Sequence, residues 1–221
     1  MSLELRSVSY RYAGTTRLAL EAIDLAIEPG EVVGLVGPNE GGKSTLALVA
    51  SGLAPATIGG RLKGVVRIDD LVTSGAAPHE LARRCGVLFQ APATQLSGTT
   101  RTVWEEVAFA PRNLGLPLAE IVERVTRALE TLGIEDLGPR PPGRLSGGQS
   151  QLVALASVLA MRPPYLILDE PTSELDPGGS RLVADALGGL AREGGVGLLI
   201  IEHKTWLLEE LAGRVVAIDA G

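Results

Sequence analysis

The stretch GPNEGGKST, residues 37–45, decides how this chain folds, because it joins an apolar pentapeptide to a helical pattern through a glycine-rich loop. VVGLV (32–36) precedes it, and KSTLALVASGL (43–53) continues it. The spacing G-x-x-x-x-G-K-S between a buried strand and a helix predicts a phosphate-binding loop, the alternative being a turn that only caps a buried helix. Backbone N–H groups attract the anion, Lys43 adds positive charge, and the Ser44 hydroxyl can bind Mg²⁺. The predicted nucleotide-binding residues of the loop are Gly37, Pro38, Asn39, Glu40, Gly41, Gly42, Lys43, Ser44 and Thr45.

The composition is that of a globular α/β chain and argues against several classes of protein. With 221 residues and 45% hydrophobic content, the chain can bury the core of one α/β domain with a subdomain. A net charge of −6 without a Lys/Arg cluster argues against a surface that binds nucleic acid. Two histidines, without carboxylates at metal-ligand spacing, do not predict a zinc site.

The chain also lacks the sequence signals of a secreted or membrane-spanning protein. Cys85 is the only cysteine, so we expect a small buried residue in a reducing compartment and no disulfide within the chain. No apolar run reaches the roughly 18 residues needed to span a bilayer, and the start MSLELRSVSYRY does not resemble a signal peptide. We therefore expect a cytosolic protein that works at a membrane only through a partner that spans it.

Alternation of apolar runs with longer amphipathic segments predicts a parallel sheet covered by helices on both faces. Residues 3–28 and 62–70 have instead the half-buried pattern of antiparallel strands, and residues 101–132 contain two helices inserted between core strands. The predicted core strands are 32–36, 86–89, 165–169, 198–202 and 215–219.

A second motif, YLILD (165–169) followed by Glu170, ends a predicted strand in two carboxylates. Ligands of α/β sheets bind at the carboxyl ends of the strands. Asp169 can therefore hold Mg²⁺ through water, and Glu170 can polarise an attacking water. The alternative is that both acids only end the strand at an ordinary turn.

A third motif, LSGGQ (145–149), resembles an ordinary helix start in which Ser146 is the N-cap. A capped helix start is also an anion site, and one chain does not need two such sites for one nucleotide. The simplest interpretation is that this helix contacts the γ-phosphate of a nucleotide bound to another subunit.

Taken together, GPNEGGKST, LSGGQ and YLILDEPTSELD resemble the ATP-binding-cassette ATPases over essentially the whole chain. The resemblance implies an α/β P-loop NTPase fold with a RecA-like parallel core, an antiparallel β subdomain and an α-helical insertion. It implies one domain over 1–221, with 1–90 and 159–221 forming the core and 91–158 the helical subdomain. In this family two cassettes bind head to tail around two ATP molecules, so the signature residues Ser146, Gly147, Gly148 and Gln149 would face the partner's nucleotide.

The resemblance assigns four further positions. Tyr12 would stack on adenine, with Tyr10 as its rival, and Gln90 would meet Mg²⁺ together with Ser44 and Asp169. Asp176 would couple the two sites, and His203 would contact the γ-phosphate. The alternatives are a strand aromatic for Tyr12, a surface strand end for Gln90, a helix-terminal acid for Asp176 and a core histidine for His203.

Residues 90–117, QAPATQLSGTTRTVWEEVAFAPRNLGLP, resemble the matching stretch of energy-coupling-factor and cobalt/nickel importer ATPases. In that group the helical insertion forms a groove for a helix of the transmembrane coupling protein. We therefore expect residues 101–117 to form a docking surface, the alternative being two helices that only pack on the core. Trp104 and Phe109 suit either role.

Glu40 stands where the family has glycine, inside a loop that binds phosphate. A left-handed backbone there would cost a non-glycine residue about 1–2 kcal/mol. A carboxylate about 7 Å from a phosphate charge would cost about 2.4 kcal/mol at an effective dielectric constant near 20, and one about 10 Å away in water about 0.4 kcal/mol. We expect Glu40 to point outward and ATP still to bind; the alternative is a degenerate site with weak hydrolysis.

The sequence thus predicts the ATP-hydrolysing subunit of an importer for a vitamin or a cobalt/nickel ion, with Glu170, His203 and Lys43 as catalytic residues and ATP and Mg²⁺ as ligands. The expected partners are a second cassette, identical, different or in tandem, and a transmembrane coupling protein bound through residues 90–117. The expected location is the cytoplasmic face of the membrane. The alternative is a cassette ATPase of translation or DNA repair, although such chains tend to carry basic linkers or coiled coils not seen here.

Overall fold

The computed structural model describes residues 1–219, apart from the side chain of Ala93. Its strands, in chain order, are β1 (Leu3–Arg11), β2 (Leu20–Ile27), β3 (Val32–Val36), β4 (Arg61–Ile68), β5 (Leu71–Val72), β6 (Cys85–Leu88), β7 (Tyr165–Asp169), β8 (Gly197–Ile201) and β9 (Arg214–Ala217). Its α-helices are α1 (Lys43–Ala50), α2 (Leu53–Ala56), α3 (Pro78–Arg84), α4 (Val103–Asn113), α5 (Leu118–Thr131), α6 (Gly147–Leu159), α7 (Pro177–Glu193) and α8 (Thr205–Leu211). In this described part, no helix has both the length and the apolar character needed to cross a bilayer.

The five predicted core strands form one parallel sheet, in the order β6-β7-β8-β3-β9. Their side chains alternate between two hydrophobic cores, because successive residues of a strand point to opposite faces. Leu166 and Leu168 of β7 face the core formed with α4–α8, whereas Tyr165 and Ile167 face the core formed with α1 and the second sheet. Burial on both faces explains why these strands are apolar throughout, and the predicted parallel sheet is confirmed.

The second sheet is antiparallel, in the order β2-β1-β4-β5, as the half-buried patterns of residues 3–28 and 62–70 predicted. It packs through the second core on α1, the helix that begins in the glycine-rich loop. The turn between β1 and β2 consequently lies beside the start of α1, where the predicted phosphate loop is.

The two helices predicted within 101–132 are α4 and α5, and they pack against α6. Thr102 caps α4 by accepting a hydrogen bond from the Glu105 N–H. The apolar stripe of α5, which includes Ile121 and Val125, is buried, whereas Leu118 at its first position is 72% exposed. The insertion therefore shares one hydrophobic core with a face of the parallel sheet.

Candidate active site

A cavity of about 500 Å³ lies at the carboxyl edge of the parallel sheet, beside the start of α1. It brings together several predicted residues from separate parts of the chain, including Tyr12, Lys43, Gln90 and Glu170. The complete lining is Tyr12, Thr15, Arg17, Leu18, Ala19, Asn39, Glu40, Gly42, Lys43, Ser44, Thr45, Gln90 and Glu170. The predicted residues outside that lining are Gly37, Pro38, Gly41, Ser146, Gly147, Gly148, Gln149, Asp169, Asp176 and His203.

The glycine-rich loop is wrapped around Lys43, which is only 7% exposed. Its Nζ donates hydrogen bonds to the carbonyl oxygens of Gly37, at 2.9 Å, and Pro38, at 2.8 Å. Gly42 has a φ of 99°, and a β-carbon there would lie 2.7 Å from the carbonyl oxygen of Ala19. The last glycine of the motif is therefore required both by its backbone conformation and by the close β1–β2 turn.

Glu40 has a left-handed backbone, with a φ of 62°. In a non-glycine residue, this left-handed conformation costs about 1–2 kcal/mol of conformational free energy, as expected from the sequence. Glu40 is exposed and borders the cavity, so its carboxylate is in water at the rim of the loop. Water screens the repulsion between this carboxylate and a bound phosphate.

The structure distinguishes the two candidate tyrosines. Tyr10 lies inside β1, is completely buried and donates its hydroxyl to the Gly59 carbonyl. Tyr12 lies one residue past the end of β1, is half-buried and borders the cavity. Its hydroxyl lies 3.0 Å from the Thr45 hydroxyl, so the ring is anchored to α1. Tyr12, rather than Tyr10, can therefore present a ring to a ligand in the cavity.

Oxygen ligands suited to Mg²⁺ meet at the end of β7. Asp169 is 4% exposed, and the nearby Ser44 hydroxyl and Lys43 ammonium favour its charged form. Burial raises the pKa of Asp169, and the charge of Glu170 adds to this, while Ser44 and Lys43 oppose it. Ser44 and Gln90 both border the cavity. A carboxylate, a hydroxyl and an amide oxygen form the hard donor set that Mg²⁺ prefers, so the residues present fit this ion.

Glu170 also has a left-handed backbone, with a φ of 52°. Its N–H donates to the Ile201 carbonyl at 2.9 Å, and its own carbonyl accepts from the Ser173 hydroxyl at 3.0 Å. The buried Gln151 of α6 donates its amide to the next carbonyl, that of Pro171, at 3.0 Å. Non-glycine residues keep such a conformation only where surrounding contacts hold it, and such residues are concentrated at active sites.

His203 follows β8, the neighbour of β7, and its Nε2 lies 3.3 Å from Glu170 Oε1. The imidazole is 46% exposed and the Glu170 side chain 17% exposed. His203 is therefore a surface residue beside the carboxylate and not a core histidine.

The predicted signature segment begins α6 with a capping box. The Ser146 hydroxyl accepts from the Gln149 N–H, and the Gln149 side chain accepts from the Ser146 N–H. Ser146 and Gly147 are exposed and lie outside the cavity of their own chain. Asp176 caps α7 through the Gly179 N–H at 2.7 Å, so the helix-terminal role considered for it is present.

Sequence reasoning missed part of the cavity lining, above all Arg17 and Thr15. Both lie in the turn that follows Tyr12, and their position next to that tyrosine in the chain was the available signal. Arg17 adds a cation to the wall of the cavity.

A second cavity, of about 330 Å³, lies where residues 90–117 meet α3 and α6; we call it the insertion groove. Phe89, Leu96 and Phe109 are among its apolar lining, and Phe109 is 42% exposed. Gln95 holds one wall by accepting from the Phe89 N–H at 2.9 Å and donating to the Val87 carbonyl at 3.0 Å, which completes the edge of β6. The buried Glu106 holds another wall by accepting from the Ser97 N–H at 2.6 Å.

Comparison with known proteins gave one family and many relatives. The ABC transporter family model matches residues 20–173. The energy-coupling factor transporter ATP-binding protein EcfA2 of Symbiobacterium thermophilum is 41% identical over 225 residues, covering 100% of this chain and 76% of that protein. The cobalt import ATP-binding protein CbiO of Syntrophus aciditrophicus is 41% identical over 202 residues, covering 91% and 69%. A solved dimeric ATP-binding cassette in a post-hydrolysis state, bound to ADP and Pi, matches with a TM-score of 0.86 at 26% identity, covering 99% of this chain and 95% of that one.

Proposed function

The chain belongs to the ABC transporter family as an ATP-binding subunit and ATPase, and we propose that it powers an importer of the energy-coupling-factor type, for a vitamin or a cobalt/nickel ion. The observation that carries this proposal is the insertion groove. Its apolar surface, with a 42% exposed Phe109, has the size and character to receive a helix of a transmembrane coupling protein. It adjoins Gln90, which borders the nucleotide cavity, so movement at the nucleotide can reach the docked helix.

The proposed reaction is attack of water on the γ-phosphate of ATP. Glu170 orients the water and accepts its proton, and its fixed backbone sets the direction of the carboxylate. His203 contacts the γ-phosphate from beside Glu170, and Lys43 places its ammonium among the phosphate oxygens. Tyr12 stacks on the adenine, and Arg17 lies in the same cavity wall.

Ser44, Gln90 and Asp169 would hold Mg²⁺, which when bound would neutralise charge on the β- and γ-phosphates. The buried carboxylate of Asp169 does not line the cavity, so it would contact the ion through a water molecule. The remaining ligand positions suit phosphate oxygens and water, since Mg²⁺ usually keeps several waters.

The second nucleotide contact comes from another cassette. Ser146, Gly147, Gly148 and Gln149 form a capped helix start that lies outside the cavity of their own chain, so they are available to a partner's γ-phosphate. Asp176, the N-cap of α7, would couple the two sites. We assign residues 1–90 and 159–221 to the core with its β subdomain, 91–158 to the helical subdomain, and the assembly to the cytoplasmic face of a membrane.

The experiment that tests the function is purification of the full-length tagged protein from detergent-solubilised membranes, with mass spectrometry of co-purifying proteins. We expect a transmembrane coupling protein and a small membrane subunit that binds the substrate. Phe109→Asp should abolish this recovery, whereas Leu118→Asp, a matched change at a 72% exposed leucine of α5, should not. Recovery of ribosomes or DNA-repair proteins without a membrane partner would contradict the importer and assign the protein to the non-transport class.

A further inference from the structure

Glu202 lies immediately before His203, at the point where β8 ends, and is 3% exposed. Both of its carboxylate oxygens are used. Oε2 accepts from the Thr172 hydroxyl at 2.7 Å, and Oε1 accepts from the backbone N–H groups of His203, at 2.9 Å, and Lys204, at 3.2 Å. Thr172 lies two residues after Glu170 and is completely buried. One buried carboxylate thus joins the loop that carries Glu170 to the loop that carries His203.

Lys204, on the other side of His203, makes a second connection between the same loops. Its Nζ donates to the Thr172 carbonyl at 2.7 Å and lies 3.3 Å from the Ser180 hydroxyl, to which it also donates. Thr172 is therefore held through its side chain by Glu202 and through its backbone by Lys204. Within the described residues, the one polar contact of the His203 imidazole is its approach to Glu170.

A buried carboxylate is costly unless it is fully hydrogen bonded, and removal of one leaves its donors without partners. An apolar residue at position 202 would leave the His203 and Lys204 N–H groups unpaired at the base of the imidazole. The arrangement therefore determines where the backbone of His203 lies relative to Glu170, whose own backbone is fixed by separate contacts.

We propose that Glu202 is a positioning residue for ATP hydrolysis: together with Thr172 and Lys204 it forms a clamp that holds the His203 imidazole beside Glu170. The proposal rests on the proposed function, in which His203 contacts the γ-phosphate. The clamp acts through His203, so its loss affects the rate of the chemical step and not the binding of ATP, which involves Tyr12, Arg17 and the glycine-rich loop on other elements.

The test is a double-mutant cycle in single-turnover ATP hydrolysis, with kcat and KM measured on the same full-length protein. Glu202→Leu should lower kcat by about 10²-fold, the scale expected for misplacement of a reacting group by about 1 Å, while KM for ATP changes less than about twofold. In the His203→Ala background, the same Glu202→Leu change should produce no further loss. Glu202→Gln should restore most of the rate, because its amide oxygen still accepts both N–H groups and its nitrogen can donate to the Thr172 hydroxyl.

If Glu202 only stabilised the fold, the kinetic result would be different. If Glu202→Leu lowers kcat by the same factor with and without His203, or raises KM together with the fall in kcat, the clamp is overturned. If His203→Ala alone leaves kcat unchanged, the assignment of His203 in the proposed function fails, and the clamp fails with it. Should Glu202→Leu not fold, Thr172→Val removes the same hydrogen bond and should give the same dependence on His203. Glu209→Leu, at an exposed position of α8, serves as the control and should leave kcat unchanged.

Discussion

His203 Nε2 lies 3.3 Å from Glu170 Oε1, although the two residues are separated by the whole of α7 and β8. The contact exists because β7 and β8 are neighbouring parallel strands, so that the residues following them leave the sheet at the same edge. It places a group that can accept a proton next to one that can contact a phosphate, at the edge of the nucleotide cavity.

Glu170→Gln should therefore abolish most hydrolysis and leave ATP binding intact, because the amide keeps the shape of the side chain but cannot accept the proton. The fall in kcat should be about 10²–10⁴-fold, the usual scale for a general base. Steady-state hydrolysis and the Kd for Mg-ATP measured by calorimetry provide the two readouts, and Glu209→Gln on α8 is the control. An unchanged rate would remove Glu170 from the reaction.

Glu40→Gly should raise the free energy of unfolding and slightly tighten ATP binding. Glycine adopts the φ of 62° without steric cost, and relief of that cost is worth about 1 kcal/mol. Loss of a water-exposed charge about 10 Å from phosphate is worth about 0.4 kcal/mol, or about twofold in Kd.

Glu40→Gln separates these two effects, because it removes the charge and keeps the strained backbone. Its Kd should match that of the glycine variant, while its free energy of unfolding should match the wild type. Tight binding by the glycine variant with none by the wild type would instead show that Glu40 makes the site degenerate.

The core of the fold was predictable because a strand buried on both faces is apolar throughout, and such a run can be recognised without tertiary information. VVGLV and YLILD are apolar throughout and are strands β3 and β7 within the predicted bounds. The predicted 198–202 strand was wrong at its end. Glu202 leaves β8 to bind Thr172, a residue 30 positions away, and no local pattern reports that contact.

The site was less predictable where a tertiary contact determines which residue borders the cavity. Tyr10 and Tyr12 are two positions apart, a spacing that would put both on one face of a continuous strand, so the sequence period does not distinguish them; the end of β1 at Arg11 does. Arg17 borders the cavity through the packing of the β1–β2 turn, and Gln95 and Glu106 bind backbone groups of the irregular segments beside them, which no sequence period indicates. Glycine-loop residues were accessible to sequence reasoning because their chemistry is contained in nine consecutive positions.

Cys85 should be almost unreactive in the folded protein. Burial raises the pKa of its thiol to about 12, so the nucleophilic thiolate does not form near neutral pH. Alkylation at pH 8 should be slower than in the denatured chain by a factor on the order of 10² or more, because the folded thiol stays almost entirely protonated and the residue is only 6% exposed. A rate like that of the denatured chain would contradict the burial of Cys85 at the start of β6.

The raised pKa of Cys85 also predicts that the stability of the fold depends on pH. The folded pKa lies above the unfolded value of about 8.5, so the unfolded chain loses its proton first as pH rises. The contribution of Cys85 to stability is therefore complete below about pH 8.5 and is progressively lost between there and about pH 12. Urea unfolding of wild type and Cys85→Ala across this range should show that the difference between them shrinks as pH increases.

Glu174→Ala should strengthen ATP-driven association of two cassettes. Glu174 Oε2 lies 3.1 Å from the position that a β-carbon on Gly147 would occupy, and the Glu174 carbonyl oxygen lies equally close to that position on Gly148. The carboxylate thus occupies the amino end of α6, where the proposed dimer places the γ-phosphate of the partner's nucleotide. Its repulsion of that phosphate is worth between about 0.4 kcal/mol, at 10 Å in water, and about 2.4 kcal/mol, at 7 Å and an effective dielectric constant near 20.

The measurement is sedimentation of Glu170→Gln and Glu170→Gln/Glu174→Ala with ATP, at low and high salt. The second protein should dimerise more tightly, and the difference should decrease at high salt because the interaction is between charges near the surface. Glu174→Gln should behave like Glu174→Ala if charge is the cause, whereas Glu130→Ala on the exposed side of α5 should have no effect. Weaker dimers of the Glu174→Ala protein would show instead that the carboxylate supports the α6 start, to which an acid at a helix amino end contributes about 0.3–1 kcal/mol.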